Sequence, residues 1–285
     1  MKKHQSPLLG VATISMIVAR RHLGSYSCGK SKKIYTQPQL MACLILKAYL
    51  KQTFRGIVDV LQNSDSLRAA IGLDQVPTFT TLQEFQKRIV TPELLDAILG
   101  QVLALCQEQG AAAKEVAVDS TGVETTTASA HFVTRSKRNR KQYVKISLAI
   151  VCGLLMPVTM ALGMGPTPDL HEAHEMLWKT AGRVHPDFIY MDKGYDCEWI
   201  HQFCRDGLKA ISYMPPVART KDGSIRTEYR ARCAQYRPMN TGKRWHIESF
   251  ISGFKRVCGS TLRSRTQAGL LTEAGLKVLA YAIRR

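Results

Sequence analysis

Three charged residues near the end of the chain, Arg244, Glu248 and Lys255, are spaced as on one face of an α-helix. An apolar stripe at three- and four-residue spacing follows an adjacent face, formed by Ile247, Phe250, Ile251 and Phe254. A carboxylate with a cation on either side is what a metal-binding helix that faces phosphates needs. An ordinary amphipathic helix with intrahelical salt bridges has the same pattern, so this segment alone does not decide between them.

Two aspartates far upstream follow short apolar segments that predict β-strands. Asp119 comes after residues 116–118, and Asp192 comes directly after Phe188–Met191. Open α/β sheets place ligands at strand ends, although Asp is also a common turn and cap residue. Together with Glu248, these residues can form a three-carboxylate site. Such hard oxygen ligands favour Mg²⁺ or Mn²⁺ over zinc, and a pair of these ions can promote phosphodiester displacement by water or a 3′-hydroxyl.

In these residues the chain resembles the DDE transposases of prokaryotic insertion sequences, the group with a Tyr-Arg-Glu-Lys signature around its last acid. Arg244, Glu248 and Lys255 fit the spacing of that signature, whereas Thr241 stands where the family has tyrosine. The segment 192–195 (Asp-Lys-Gly-Tyr) resembles the second family motif, and Asp119 with the following Ser-Thr resembles the first. The resemblance extends over roughly residues 36–285.

The resemblance implies a fold and a set of active-site residues. The expected fold is α/β, an RNase H-like mixed sheet flanked by helices and preceded by an all-helical N-terminal domain. Asp119, Asp192 and Glu248 would bind two Mg²⁺ ions, with Mn²⁺ as an alternative metal. Phosphates near the scissile bond would be held by Arg244, Lys255 and Lys193.

The resemblance also implies the reaction and the partners. A transposase hydrolyses phosphodiesters at transposon ends and transfers the freed 3′-hydroxyl into target DNA. Its partners would be duplex DNA, as terminal inverted repeats and as target, and a second copy of the chain on that DNA. Two alternatives stay open: an RNase H-like nuclease without strand transfer, and a domesticated transposase kept as a DNA-binding protein. Trp245 and Tyr195 could stack on an unpaired base, although core packing is the favoured alternative.

The charge of the chain agrees with a polyanionic partner. Forty Lys and Arg against 22 Asp and Glu give a formal net charge of +18, and such a field attracts DNA. A ribosome-associated or merely basic protein is not excluded by charge alone. One basic run consists of Arg135, Lys137, Arg138, Arg140, Lys141 and Lys145; a second includes Lys243, Arg244, Lys255 and Arg256. We interpret both as contacts to backbone phosphates, with a solvated loop as the alternative for the first.

The pattern of elements predicts three parts: a basic, irregular arm over residues 1–35, a helical domain over 36–112 that could bind DNA ends, and a catalytic domain over 113–285. In the catalytic part, the sequence of residues 146–165 predicts two buried antiparallel strands rather than a membrane span. Asp169 and Glu172 have the spacing of a capping box, and Asp196 is placed to cap a helix. His171 and His174 could share a metal, but a solvated helix face is favoured.

The cysteines indicate the cellular compartment. Eight cysteines are scattered without a C-x-x-C pair, which is typical of reduced thiols rather than of a zinc site or a disulfide framework. The N-terminal segment resembles a signal peptide only superficially, because Arg20 and Arg21 stand where a cleavage site of small residues belongs. We therefore expect a cytoplasmic protein without a membrane role, and the resemblance implies a prokaryotic, nucleoid-associated one.

If the first basic run contacts phosphates, replacing Arg138, Arg140 and Lys141 with Ala should weaken the dependence of DNA affinity on salt. The slope of log affinity against log salt concentration should flatten by about one unit per lost contact. Titrations of labelled duplex at several salt concentrations measure the slope. An unchanged slope would identify the run as a solvated loop.

Overall fold

A computed structural model describes residues 6–30, 32–125, 143–235 and 241–285. The chain forms two compact units. The helical unit comprises Met1–Val102 and Phe254–Arg285, and the sheet unit comprises Leu103–Gly253. These units differ from the three predicted parts of the chain, because the C-terminal residues group with the N-terminal helices. The functional division into an arm, a DNA-end-binding domain and a catalytic domain stays a prediction.

The helical unit is built around a buried helix. Its helices are α1 (Pro7–His22), α2 (Gln37–Tyr49), α3 (Phe54–Gln62), α4 (Asp65–Ile71), α5 (Phe79–Ile89), the first part of α6 (Pro92–Glu108), the end of α10 (Trp245–Cys258) and α11 (Gln267–Arg284). Helix α2 begins with a capping box at Thr36 and is buried over most of its length. Helices α1 and α11 both pack against it.

The predicted irregular arm is wrong for residues 7–22, which form helix α1. Pro7 stands in the first turn, where its missing N–H is not needed. Val11, Ala12 and Met16 are buried, so this segment is part of the core of the helical unit. The basic residues Arg20 and Arg21 lie in the last turn, where positive charge is favourable to the helix dipole.

The sheet unit contains one five-stranded mixed sheet in the order β3-β2-β1-β4-β5. Its elements are β1 (Glu115–Glu124), β2 (Tyr143–Val151), β3 (Met156–Gly165), α7 (Leu170–Ala181), β4 (Phe188–Met191), α8 (Glu198–Gln202), β5 (Ile211–Tyr213) and α9 (Glu228–Gln235), followed by the first part of α10. Strands β1, β2 and β3 pair antiparallel, and β4 joins β1 and β5 in parallel. The predicted mixed sheet flanked by helices, after a helical N-terminal region, is confirmed.

The predicted hairpin over residues 146–165 is also confirmed, as β2 and β3. Gly153 adopts a φ of 83° in the connecting turn, a conformation that glycine allows at little cost. Strand β2 is buried along almost its whole length, which explains why its sequence is mostly apolar. Among the described residues, no single helix is long and apolar enough to cross a membrane; α5 and α6 reach that length only as a pair bent by 95°.

The prediction that Asp196 caps a helix is wrong. Its side chain is instead buried in an ion-pair network. Cys197 occupies the cap position of α8. The Asp196 carboxylate, 1% exposed, accepts hydrogen bonds from Arg230 Nε and Nη2 at 2.9 and 2.7 Å and from the Val217 N–H at 2.7 Å. His201 Nε2 lies 3.1 Å from the same carboxylate. The network therefore joins α8, α9 and the segment after β5.

Asp196→Ala should lower the free energy of unfolding by roughly 3–5 kcal/mol, because it leaves the Arg230 guanidinium buried without its counter-ion. Burial favours a higher pKa for Asp196, but the hydrogen bonds from Arg230, Val217 and His201 lower that pKa to about 2. The stabilisation is therefore complete above the ordinary carboxylate pKa and is lost as pH falls through about 2.

Denaturant titrations of the wild type and the variant over this pH range measure both effects. Asp187→Ala is the matched control, because Asp187 forms an exposed ion pair with Lys114 at 3.5 Å, which contributes at most about 1 kcal/mol. Equal losses for the two variants would contradict a stabilising role for the buried network.

Candidate active site

The pairing of β1 with β4 brings two predicted acids together. Val118 is in register with Met191, the last residue of β4, so Asp119 and Asp192 are the next residues on neighbouring parallel strands. The prediction that Asp119 follows the end of its strand is wrong, because β1 continues to pair with β2 as far as Glu124. The two aspartates nevertheless lie on neighbouring strands, because each directly follows the last residue pair of the β1–β4 ladder.

Asp192 closes a tight turn directly after β4. Its Oδ1 accepts a hydrogen bond from the Gly194 N–H at 2.7 Å and caps the short 3₁₀ helix Lys193–Tyr195. A Cβ on Gly194 would lie 3.3 Å from Asp169 Oδ2, closer than most such contacts. A side chain at this position would therefore crowd a neighbouring carboxylate.

Arg244 connects the second and third predicted acids. Its Nη2 donates to Glu248 Oε1 at 2.9 Å, one helical turn later, and its Nη1 donates to Asp192 Oδ2 at 3.4 Å. The Glu248 side chain is 56% exposed and that of Asp192 is 34% exposed. The helix predicted over 244–255 thus places Glu248 near the C-terminal end of β4, and the Arg244 guanidinium lies between the carboxylates of Asp192 and Glu248.

Asp119 lies in a more enclosed position. It is half-buried, and its Oδ1 accepts a hydrogen bond from the Ser120 N–H at 2.8 Å. Burial raises the pKa of this carboxyl, and the negative charges of Asp192 and Asp169 add to the effect. The Ser120 hydrogen bond and the positive charge of Arg244 lower the pKa but do not offset the increase. An additional cation near Asp119 would therefore be electrostatically favourable.

Sequence reasoning missed a polar network next to Asp119. Ser120 Oγ donates to Asp169 Oδ1 at 2.5 Å. Lys145 Nζ lies 3.0 Å from the same Asp169 oxygen and 2.9 Å from Glu172 Oε2. Beside these residues, an open cleft of about 500 Å³ is lined in part by Tyr143. The network fixes the side chain of Ser120, the residue after Asp119, and its members Ser120, Lys145 and Asp169 line this cleft.

The capping box predicted for Asp169 and Glu172 is wrong. The Asp169 side chain forms no capping hydrogen bond, and Glu172 pairs with Lys145 and Thr167 instead. Lys145, counted with the first basic run, is likewise no phosphate contact, because its side chain is 4% exposed. A lone lysine inside the apolar segment of β2 was the available signal, since a buried ammonium needs acidic partners.

The other predicted contacts are dispersed. Tyr195 is 1% exposed, so base stacking by its ring is wrong and core packing is correct. The Trp245 side chain is exposed beside the His246 ring, and its role stays a prediction.

The predicted phosphate contacts lie in different parts of the chain. Lys193 is exposed next to Asp192, whereas Lys243 pairs with Glu115 at the start of β1. Lys255 and Arg256 lie in the last turn of α10. Five predicted phosphate contacts of the first basic run lie outside the described residues: Arg135, Lys137, Arg138, Arg140 and Lys141.

The donor set of the site is suited to a hard divalent cation. Asp119, Asp192 and Glu248 offer only carboxylate oxygens, the ligands that Mg²⁺ and Mn²⁺ prefer. Within the described part of the chain, no three His, Cys, Asp or Glu side chains are already close enough together to hold a metal ion. This includes His171 and His174, of which His174 instead accepts a hydrogen bond from Trp178 at 2.9 Å. Glu248, now paired with Arg244, would have to leave that ion pair to act as a ligand.

Comparison with known proteins identifies a matching protein family. The model of a family described as the transposase DDE domain matches residues 111–283. No protein of curated function matches the chain significantly. A matching solved structure is the cryo-EM structure of piggyBac transposase in a synaptic complex with hairpin DNA. It is 9% identical, with a TM-score of 0.47, over 98% of this chain and 72% of that chain.

Burial and the neighbouring carboxylates make the negative charge of Asp119 unfavourable. Asp119→Asn should therefore raise the thermal midpoint of the metal-free protein at neutral pH. The expected increase is on the order of a few degrees. Thermal unfolding in the presence of a chelator measures it. Asp74→Asn, which removes an exposed carboxylate, is the control and should not raise the midpoint. A lower midpoint for Asp119→Asn would show that Asp119 stabilises the fold.

Proposed function

Since the chain belongs to the family of transposases with a DDE domain, we propose that Asp119, Asp192 and Glu248 are its catalytic acids. As a member of that family, the protein is a DNA transposase, which cuts DNA at transposon ends and joins the freed 3′-hydroxyl to target DNA. One observation carries the assignment of the acids. The parallel β1–β4 register sets Asp119 beside Asp192, and Arg244 connects Asp192 with Glu248.

The three acids would hold two Mg²⁺ ions, with Mn²⁺ able to replace them. When bound, such ions stabilise negative charge on the attacking and leaving oxygens of a phosphodiester. The carboxylates supply the ligand charge, and the sheet fixes two of them on adjacent strands. Ser120 donates a hydrogen bond to Asp169, which also forms an ion pair with Lys145. These contacts help to fix the position of the chain next to Asp119.

Arg244 would have two roles in this site. In the described arrangement its single positive charge offsets part of the negative charge of Asp192 and Glu248, which supports the folded site before metal and DNA bind. With metal bound, its guanidinium can turn to a DNA phosphate, for which its planar set of donors is well suited. Lys193, exposed on the turn after Asp192, provides a second phosphate contact at the same edge of the sheet.

The proposed partners are duplex DNA, as terminal inverted repeats and as target, and a second copy of the chain on that DNA. The net charge of +18 supports a polyanionic partner. Phosphate contacts by Lys243, Lys255, Arg256 and the run at 138–141 belong to the same proposal, as does base stacking by Trp245. Origin from a prokaryotic insertion sequence and a cytoplasmic, nucleoid-associated location stay predictions.

Asp192→Asn and Glu248→Gln should each abolish Mg²⁺-dependent cleavage and strand transfer, because each change removes a ligand charge from the metal site. DNA affinity should be nearly unchanged, since no basic contact is lost. Cleavage of labelled duplexes that carry the inverted repeats flanking the gene measures the reaction, and a labelled 3′-hydroxyl end reports strand transfer.

Glu175→Gln is the control, because Glu175 pairs with Lys179 on the exposed face of α7. This variant should cleave at the wild-type rate. Cleavage by Asp192→Asn or Glu248→Gln at saturating Mg²⁺ would remove that residue from the proposed site. Cleavage by the wild type without joining would identify a nuclease activity only.

A further inference from the structure

A small basic cavity lies in the helical unit, between the end of α2, the segment after α10, and α11. Its volume is about 80 Å³. Five charged side chains line it, four cations and one carboxylate: Lys47, Lys51, Arg263, Lys277 and Glu273. The lining of the basic cavity therefore carries an excess of positive charge.

The one carboxylate is largely used by the protein itself. Glu273 accepts hydrogen bonds from the backbone N–H groups of Arg263 and Ser264 at 3.0 and 2.8 Å. Lys277 Nζ lies 4.0 Å from its Oε1 and donates to the Thr261 carbonyl. Glu273 thus holds the segment 261–264 in place and offsets part of the charge of one lysine.

Lys47 is a largely buried cation of this cavity. The residue is 9% exposed, and its ammonium lies 4.3 Å from the centroid of the Phe54 ring, a cation–π contact. Its ammonium forms no hydrogen bond with any residue of the described chain. Burial lowers the pKa of Lys47, and the positive charges of Lys277 and Arg263 lower it further against the opposing effect of Glu273. A cation on a largely buried side chain that lies among other cations is electrostatically unfavourable, so an anionic ligand beside it would be stabilising.

We propose that the basic cavity binds a phosphate group, with Lys47, Lys51, Arg263 and Lys277 around its oxygens. The volume is several times the roughly 10–15 Å³ that a single water needs on this measure, so one tetrahedral oxyanion can enter. Exposed Lys51 lies at the rim, which gives a ligand access from solvent. A phosphodiester of bound DNA and free inorganic phosphate share this chemistry, and the DNA source rests on the proposed function.

Thermal unfolding of the full-length protein in inorganic phosphate, against chloride at equal ionic strength, tests the site. The wild-type midpoint should rise by roughly a few degrees at saturating phosphate. Lys47→Met and Lys51→Asn should lose most of this rise. Lys87→Met is the matched control and should keep it, because Lys87 is exposed on α5 of the same unit. Lys51→Asn changes an exposed side chain at a left-handed position that Asn tolerates, so it keeps the test valid if Lys47→Met does not fold.

The salt dependence of duplex DNA binding identifies the source of the phosphate. If a DNA phosphodiester enters the cavity, Lys47→Met and Lys51→Asn should flatten the log–log slope by about one unit relative to Lys87→Met. A lost phosphate response with an unchanged slope would assign the cavity to free phosphate. The proposal is overturned if neither measurement separates the two cavity variants from Lys87→Met.

The phosphate-induced rise in midpoint does not depend on DNA cleavage. Asp192→Asn should therefore keep this rise while it loses cleavage. Failure of the cavity proposal is in this way distinguishable from failure of the active-site assignment.

Discussion

The parallel pairing of β1 with β4 is the constraint on which the active site depends. Only four residues of each strand take part, Glu115–Val118 and Phe188–Met191, and the next residue of each strand is a catalytic acid by our proposal. A slip of one residue would turn the side chains of one strand to the opposite face of the sheet. The buried apolar residues of both strands oppose such a slip, so the core of the sheet also sets the position of the carboxylates.

Clustering acids at one edge of a sheet has an electrostatic cost, and local cations reduce it. Lys145 lies between Asp169 and Glu172, and Arg244 lies between Asp192 and Glu248. The two cations differ in accessibility. Lys145 is almost completely buried and is part of the framework, whereas the Arg244 side chain is 35% exposed and can exchange its partners. Arg244 is therefore the cation that can release its carboxylates to a metal ion.

The parts of the fold that the sequence predicted correctly depend on local patterns. The apolar segments before Asp119 and Asp192, the β2–β3 hairpin and the helix around Glu248 each show their own periodicity. The parts that were wrong depend on partners distant in the chain. Asp169 has capping-box spacing, but its partner Ser120 is 49 residues away, and the Arg230 partner of Asp196 is 34 residues away. Local spacing is the same whether such an acid caps a helix or enters a buried network.

The short β1–β4 pairing also has a kinetic consequence. Its partners are separated by about 70 residues of chain, whereas β2 and β3 are joined by a short turn. Closing a long loop costs more conformational entropy than closing a short one, so contacts close in sequence form earlier during folding. We therefore expect a newly made chain to pass through a stage in which the hairpin is formed but Asp119 and Asp192 are still apart. The nascent protein gains the means to cut DNA only when its sheet is nearly complete.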